Sequence, residues 1–157
     1  MSVPPGNRQK SSMQFIETAD KIEDLTMRTC RKWPKSYMFI ITQRTLNLAS
    51  EIYERAQRAN AIIPKIERER EERLIHLQNA LGATYAFARK VERAYMLFPL
   101  CGEKKDLEAN TVDEKSAKLL EEFMNLCLDE EEALKGNIQY TRKLTLPGTG
   151  QKAAPKQ

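Results

Sequence analysis

The chain has 157 residues, with 26 basic and 22 acidic side chains and a net charge of +4, which suits one domain with a substantial core. Few glycines and prolines, together with abundant Ala, Leu, Glu, Lys and Arg, favour an all-α fold. Cys30, Cys101 and Cys127 show no C-x-x-C spacing, which argues against a disulfide framework or a zinc site and for a reducing cytoplasm. Neither a membrane span nor a secretion signal is predicted, since no apolar run reaches the required length and no basic-then-apolar leader occurs.

The two ends are rich in Pro, Gly, Lys and Gln, and they predict disordered tails at 1–10 and 147–157 around a folded domain at 11–146. The first helix is expected to begin near Ser11, which has capping-box spacing to Gln14. Pro34 should end it, because a residue before proline is pushed out of the helical region.

A second helix is predicted from a cap at Ser36 to about Asn60. Its expected core stripe is Met38, Ile41, Leu48, Ile52, Ala56 and Ala59. The opposite face carries the i,i+4 pairs Glu51–Arg55 and Glu54–Arg58.

Pro64 suits the start of a long third helix, predicted from about Lys65 to Leu97. Its expected stripe is Leu74, Leu77, Leu81, Tyr85, Ala88, Val91, Tyr95 and Phe98. After a loop, Thr111 and Glu114 form a second capping box that opens a fourth helix, with Leu120, Phe123, Cys127, Leu134 and Ile138 on its buried side. Four such helices with short connections predict an antiparallel up-down four-helix bundle.

Catalytic chemistry is not indicated. His76 is the only histidine and has no partner at ligand spacing, so a structural role is expected, and the inward Glu and Glu-x-x-His signatures of di-metal bundles do not occur. No nucleophile elbow, phosphate-binding loop or dinucleotide fingerprint occurs either. The consecutive acids Asp129 to Glu132 are interpreted as a solvated face or a docking patch for a basic partner. The prediction is a protein that is not an enzyme and needs no cofactor or metal.

Residues 28–50 contain five basic side chains and no acid, while residues 111–135 carry eight acids against three lysines. The basic run suits an anionic partner, and a solvated helix face is the competing interpretation. The predicted nucleic-acid or partner site comprises Arg28, Arg31, Lys32, Lys35 and Arg44, continued along the second helix by Arg55 and Arg58. The nearby Trp33, Tyr37 and Tyr140 could stack bases, although roles in the core or at the bundle end are the more ordinary expectation.

The segment RKWPKSYMFIITQRTLNLASEIYERAQRAN, residues 31–60, resembles the second-helix region of the accessory variability determinant proteins of diversity-generating retroelements. The similar features are the turn Trp33-Pro34-Lys35, then Tyr37, the pair Gln43-Arg44 and the alanine-rich end. The segment LDEEEALKGNIQYTRK, residues 128–143, is similar to the fourth helix of that family. Asn137 departs from the pattern, since an apolar or aromatic residue is expected there.

The resemblance covers about residues 12–144 and implies a four-helix protomer that assembles into a homopentameric barrel. It also implies a non-catalytic role beside a reverse transcriptase and contact with template RNA or cDNA during mutagenic retrohoming. Apolar residues outside the core stripes suggest a subunit interface, with ordinary scattered exposure as the competing interpretation: Phe39, Ile40, Tyr53, Ile75, Phe87 and Met96. The alternative is a structural oligomeric bundle like those encoded by intervening sequences of ribosomal RNA genes, without a reverse-transcriptase partner.

Overall fold

A computed structural model describes residues 13–98 and 114–147. Four α-helices make up most of this structure: α1 Gln14–Cys30, α2 Gln43–Ala61, α3 Glu67–Leu97 and α4 Glu114–Lys143. Helix α1 packs against α2 and α4, and α3 packs against the same two helices, so the helices surround one core. No β-strand occurs in the described residues. The all-α fold class and a helical bundle are therefore confirmed.

The α1–α2 connection differs from the prediction. It begins at Pro34 with a 3₁₀ turn, Lys35–Tyr37, and continues as a π-helix, Met38–Thr42, in which the Gln43 N–H donates to the Met38 carbonyl oxygen. Ser36 lies inside the 3₁₀ turn and caps nothing, so its predicted capping role is wrong. The buried Thr45 hydroxyl donates to the Ile41 carbonyl oxygen at 2.8 Å, which satisfies a carbonyl in the π-helical stretch.

The start of α1 also differs from the prediction. The helix begins at Gln14 with Met13 at the N-cap and no side-chain capping bond. Ser11, the Thr111 capping residue and the predicted tails, apart from Pro147, lie outside the described residues.

Buried apolar residues from all four helices form one cluster. Its fully buried large side chains include Phe15, Ile22, Ile52, Leu77, Phe87, Val91, Phe123 and Leu134. The predicted stripe of α4 is confirmed, with Leu120 only partly buried, and most of the α2 stripe is buried as well. Met38 is exposed instead, because the π-helical stretch changes the angular position of residues before α2 relative to an α-helix.

The core face of α3 is rotated from the predicted stripe. Tyr85 is exposed and Phe87 is fully buried. The predictions that placed Tyr85 in the core and Phe87 outside it are therefore wrong. Ala80, Ala83, Thr84 and Ala94 are buried on the same side as Phe87, whereas Leu77, Val91 and Tyr95 are buried as predicted. Helix α3 packs on both α2 and α4, and this broad buried face explains the difference.

A cluster of aromatic rings joins the α1–α2 turn to the last turn of α3. The ring of Trp33 lies edge-on to those of Tyr95 and Phe98, with centroids 6.0 and 5.0 Å apart, and Tyr37 contacts Phe98 at 5.7 Å. Trp33 is buried, so it fixes the turn to the core and its face is not available to stack a base. None of the helices described is long and apolar enough to cross a bilayer.

Candidate nucleic-acid interface

The turn between α1 and α2 carries three cations and is anchored by a buried residue at its centre. Trp33 anchors the turn and Pro34 fixes its backbone, while Arg31, Lys32 and Lys35 on either side are exposed. The Lys32 and Trp33 N–H groups donate to the Thr29 and Cys30 carbonyl oxygens, which closes the end of α1. The fold therefore presents these three cations to solvent from an anchored segment.

The seven predicted site residues divide into two groups by ion pairing. Arg28 pairs with Asp24, Arg55 with Glu51 and Arg58 with Glu54, the last two at 3.7 Å. The two predicted pairs on α2 are thus confirmed. No described residue forms an ion pair with Arg31, Lys32, Lys35 or Arg44. We call these four residues the free cationic set.

Exposed apolar side chains lie beside the free cationic set. Phe39 is 81% exposed and Ile40 is 65% exposed, both in the π-helix between Lys35 and Arg44. Single-turn π-helices often occur at functional sites. Apolar side chains exposed at this level can contact a partner through their rings and methyl groups while cations beside them attract negative charge.

Arg55 and Arg58 lie in a different electrostatic setting, farther along α2. They border a depression of about 400 Å³ that also contains Glu51 and Glu54, so two cations and two acids balance there. The Arg55 guanidinium Nη1 lies 3.5 Å from Nδ1 of His76 on α3. Burial lowers the pKa of His76, and the charges of Arg55 and Arg58 lower it further against the opposing effect of Glu72. This part of α2 is therefore not a simple extension of the free cationic set.

A second basic feature of the surface was not predicted from the sequence. Arg89, Lys90 and Arg93 of α3 line a groove together with Leu48 of α2. The signal was present as three cations within the five residues RKVER, 89–93, but only the packing of α2 on α3 brings them to a groove.

The acidic stretch of α4 is not uniformly solvated. Asp129 and Glu132 are exposed, but Glu130 is fully buried, which corrects the prediction for that residue. Neither carboxyl oxygen of Glu130 has a hydrogen-bond partner among the described residues, and burial raises its pKa to about 9. A carboxyl group in this state is neutral at pH 7 and belongs to the core.

The described residues contain no group of three or more His, Cys, Asp or Glu side chains placed to hold a metal ion. Cys30 and Cys127 are free and buried, and burial raises the pKa of each thiol to about 12. Cys101 lies outside the described residues.

No protein-family model, curated protein or solved structure matches the chain.

Proposed function

We propose that this chain is a non-catalytic accessory protein of a diversity-generating retroelement, acting in the cytoplasm with the reverse transcriptase and with template RNA or cDNA. In this proposal the protomer is an antiparallel up-down four-helix bundle, and five copies form a barrel. The supporting sequence feature is the likeness of residues 31–60 and 128–143 to the accessory variability determinant proteins.

The observation that carries the nucleic-acid role is the free cationic set. Arg31, Lys32 and Lys35 are exposed around an anchored turn, and no acid among the described residues neutralises them. Lysine and arginine side chains that are not already paired can replace counterions on phosphates, which supplies sequence-independent affinity. Arg28, Arg55 and Arg58 each have a neighbouring carboxylate, so a smaller contribution is expected from them.

The difference in ion pairing between the two groups of cations allows a matched experiment. The triple variant Arg31→Gln, Lys32→Gln, Lys35→Gln and the triple variant Arg28→Gln, Arg55→Gln, Arg58→Gln each remove three positive charges. Binding of fluorescent RNA is measured by anisotropy at several salt concentrations. The first variant should lower the salt slope by about two to three, since each lost phosphate contact removes about 0.7–0.9 from it, and the second should change it less.

The retroelement role needs a separate measurement. A reverse transcriptase gene with template and variable repeats should lie beside the gene for this chain, and the encoded enzyme should co-purify with it. RNA binding that is negligible at physiological salt, together with no co-purifying enzyme, would instead support the structural bundle of the intervening-sequence type.

A further inference from the structure

The groove between α2 and α3 has a volume of about 540 Å³. The lining residues that matter here are Leu48 from α2 and Arg89, Lys90, Glu92, Arg93 and Met96 from α3. Leu48 packs against the core, while Met96 is 64% exposed, so the groove has apolar walls bordered by long cationic side chains.

The groove carries an uncompensated positive charge. Among the described residues that line it, the one acid is Glu92, which accepts a hydrogen bond from Arg89 at 2.9 Å. Lys90 and Arg93 form no ion pair with any residue in 13–98 or 114–147. The described lining residues therefore carry a net charge of +2, in contrast to the balanced depression around Arg55 and Arg58.

The groove continues the free cationic set. Arg44 lies four residues before Leu48 on α2, and residues at this spacing share a helix face. Lys90 and Arg93 are three residues apart on α3, so they too are surface neighbours. Arg44 is therefore the member of the free cationic set that lies on the same face of α2 as the groove-lining Leu48.

We infer that the α2–α3 groove binds the phosphodiester backbone of RNA, with Lys90 and Arg93 as its principal phosphate contacts and Arg44 at its entrance. This inference rests on the proposed nucleic-acid role. A backbone with one charge per nucleotide can meet Arg44, Lys90 and Arg93 together, and the arginine fork matches phosphate oxygens. An acidic protein segment would be the other polyanion, but a protein partner is expected to bury an aromatic or aliphatic anchor in a desolvated pocket, and the groove formed by the described residues is partly open to solvent.

The lining residues also indicate whether binding in the groove would depend on the base sequence of the RNA. None of the residues described as lining the groove is aromatic, so bases have no ring to stack on. Binding in the groove should therefore depend on phosphate contacts and show little preference for base sequence.

The test uses the full chain and a neutralising pair, Lys90→Gln with Arg93→Gln. Its control, Lys21→Gln with Lys115→Gln, removes the same charge from exposed residues of α1 and α4. Two RNAs of unrelated sequence are titrated at several salt concentrations, and circular dichroism checks the fold. The groove pair should weaken binding of both RNAs about tenfold or more near 0.1 M salt and lower the salt slope by about 1.5, while the control pair should do neither.

Other outcomes separate the two proposals. In one outcome the groove variant binds RNA as tightly as the control variant while the Arg31, Lys32, Lys35 variant loses RNA affinity. In that case the groove inference fails and the proposed function stands. If the groove pair loses binding to polyglutamate but keeps RNA affinity, the groove serves an acidic protein and the inference is overturned. If neither variant changes RNA affinity, both proposals fail together.

Discussion

The indole ring of Trp33 lies edge-on to the ring of Phe98, with centroids 5.0 Å apart and ring planes at 62°. This contact joins the α1–α2 turn to the end of α3, and it places a structural aromatic residue in the middle of an exposed cationic segment. Stability and partner binding should therefore be separable within a few residues of sequence.

Replacing Trp33 with Ala should destabilise the protein by about 3–5 kcal/mol, because a buried ring and its edge-on contacts are lost. Trp33→Phe keeps a ring and should cost less. Urea denaturation followed by circular dichroism measures both effects. A loss below about 1 kcal/mol for the Ala variant would show that the aromatic cluster does not hold the turn.

Glu130→Gln should reduce the pH dependence of stability. The native state keeps the Glu130 proton up to about pH 9, while an unfolded chain releases it near the ordinary pKa of 4.5. Because the native state binds more protons between these values, its stability falls as pH rises through that window, by up to about 1.4 kcal/mol per pH unit for this group.

Urea denaturation from pH 5 to pH 9 checks the effect of Glu130. The Gln variant lacks the titrating group, so its stability should fall less steeply than that of the unmodified chain. The exposed Glu122→Gln on the same helix serves as the control and should leave the slope unchanged. Equal slopes for the Glu130→Gln variant and the unmodified chain would contradict the buried neutral state.

The thiols of Cys30 and Cys127 should react slowly with a disulfide reagent at pH 8. Burial limits access and raises the pKa of each to about 12, so little thiolate is present. A Cys101→Ser background leaves only these two thiols. Absorbance should show little reaction in buffer and two equivalents in urea, and rapid reaction of the native chain would show that the core opens readily.

The proposed assembly makes a prediction for Phe39 and Ile40. Substituting Asp at both should lower the oligomer mass measured by light scattering, because subunit contact would bury both side chains. Helical content should not change, since they are 81% and 65% exposed in the protomer. Leu128→Asp on α4 alters an apolar residue that is 62% exposed and should leave the mass unchanged. An unaltered mass for the Phe39, Ile40 variant would place the subunit contact elsewhere.

Helical periodicity and proline positions predicted the elements well. Helix α3 was expected from about Lys65 to Leu97 and spans Glu67–Leu97, and the break near Pro34 is confirmed. The ion pairs on α2 were also predictable, because they depend on spacing within one helix.

Features that depend on packing between helices were harder to predict. Apolar residues surround much of α3, so periodicity could not choose between Tyr85 and Phe87. Glu130 lies in a run of four acids, and nothing local distinguishes it from its exposed neighbours. The groove that contains Lys90 and Arg93 depends on where α2 meets α3, which no single-helix pattern contains.

The π-helix at Met38–Thr42 has a consequence for how this surface can change. Each turn there holds more residues than an α-helical turn, so deleting one residue would allow a regular helix to form. The i→i+5 hydrogen bond of this turn accommodates one residue more than an α-helical turn, so removing that residue should leave the segments on either side near their present angular positions. A one-codon deletion should therefore shorten the exposed π-helical stretch while Lys35 and Arg44 keep their directions relative to α2.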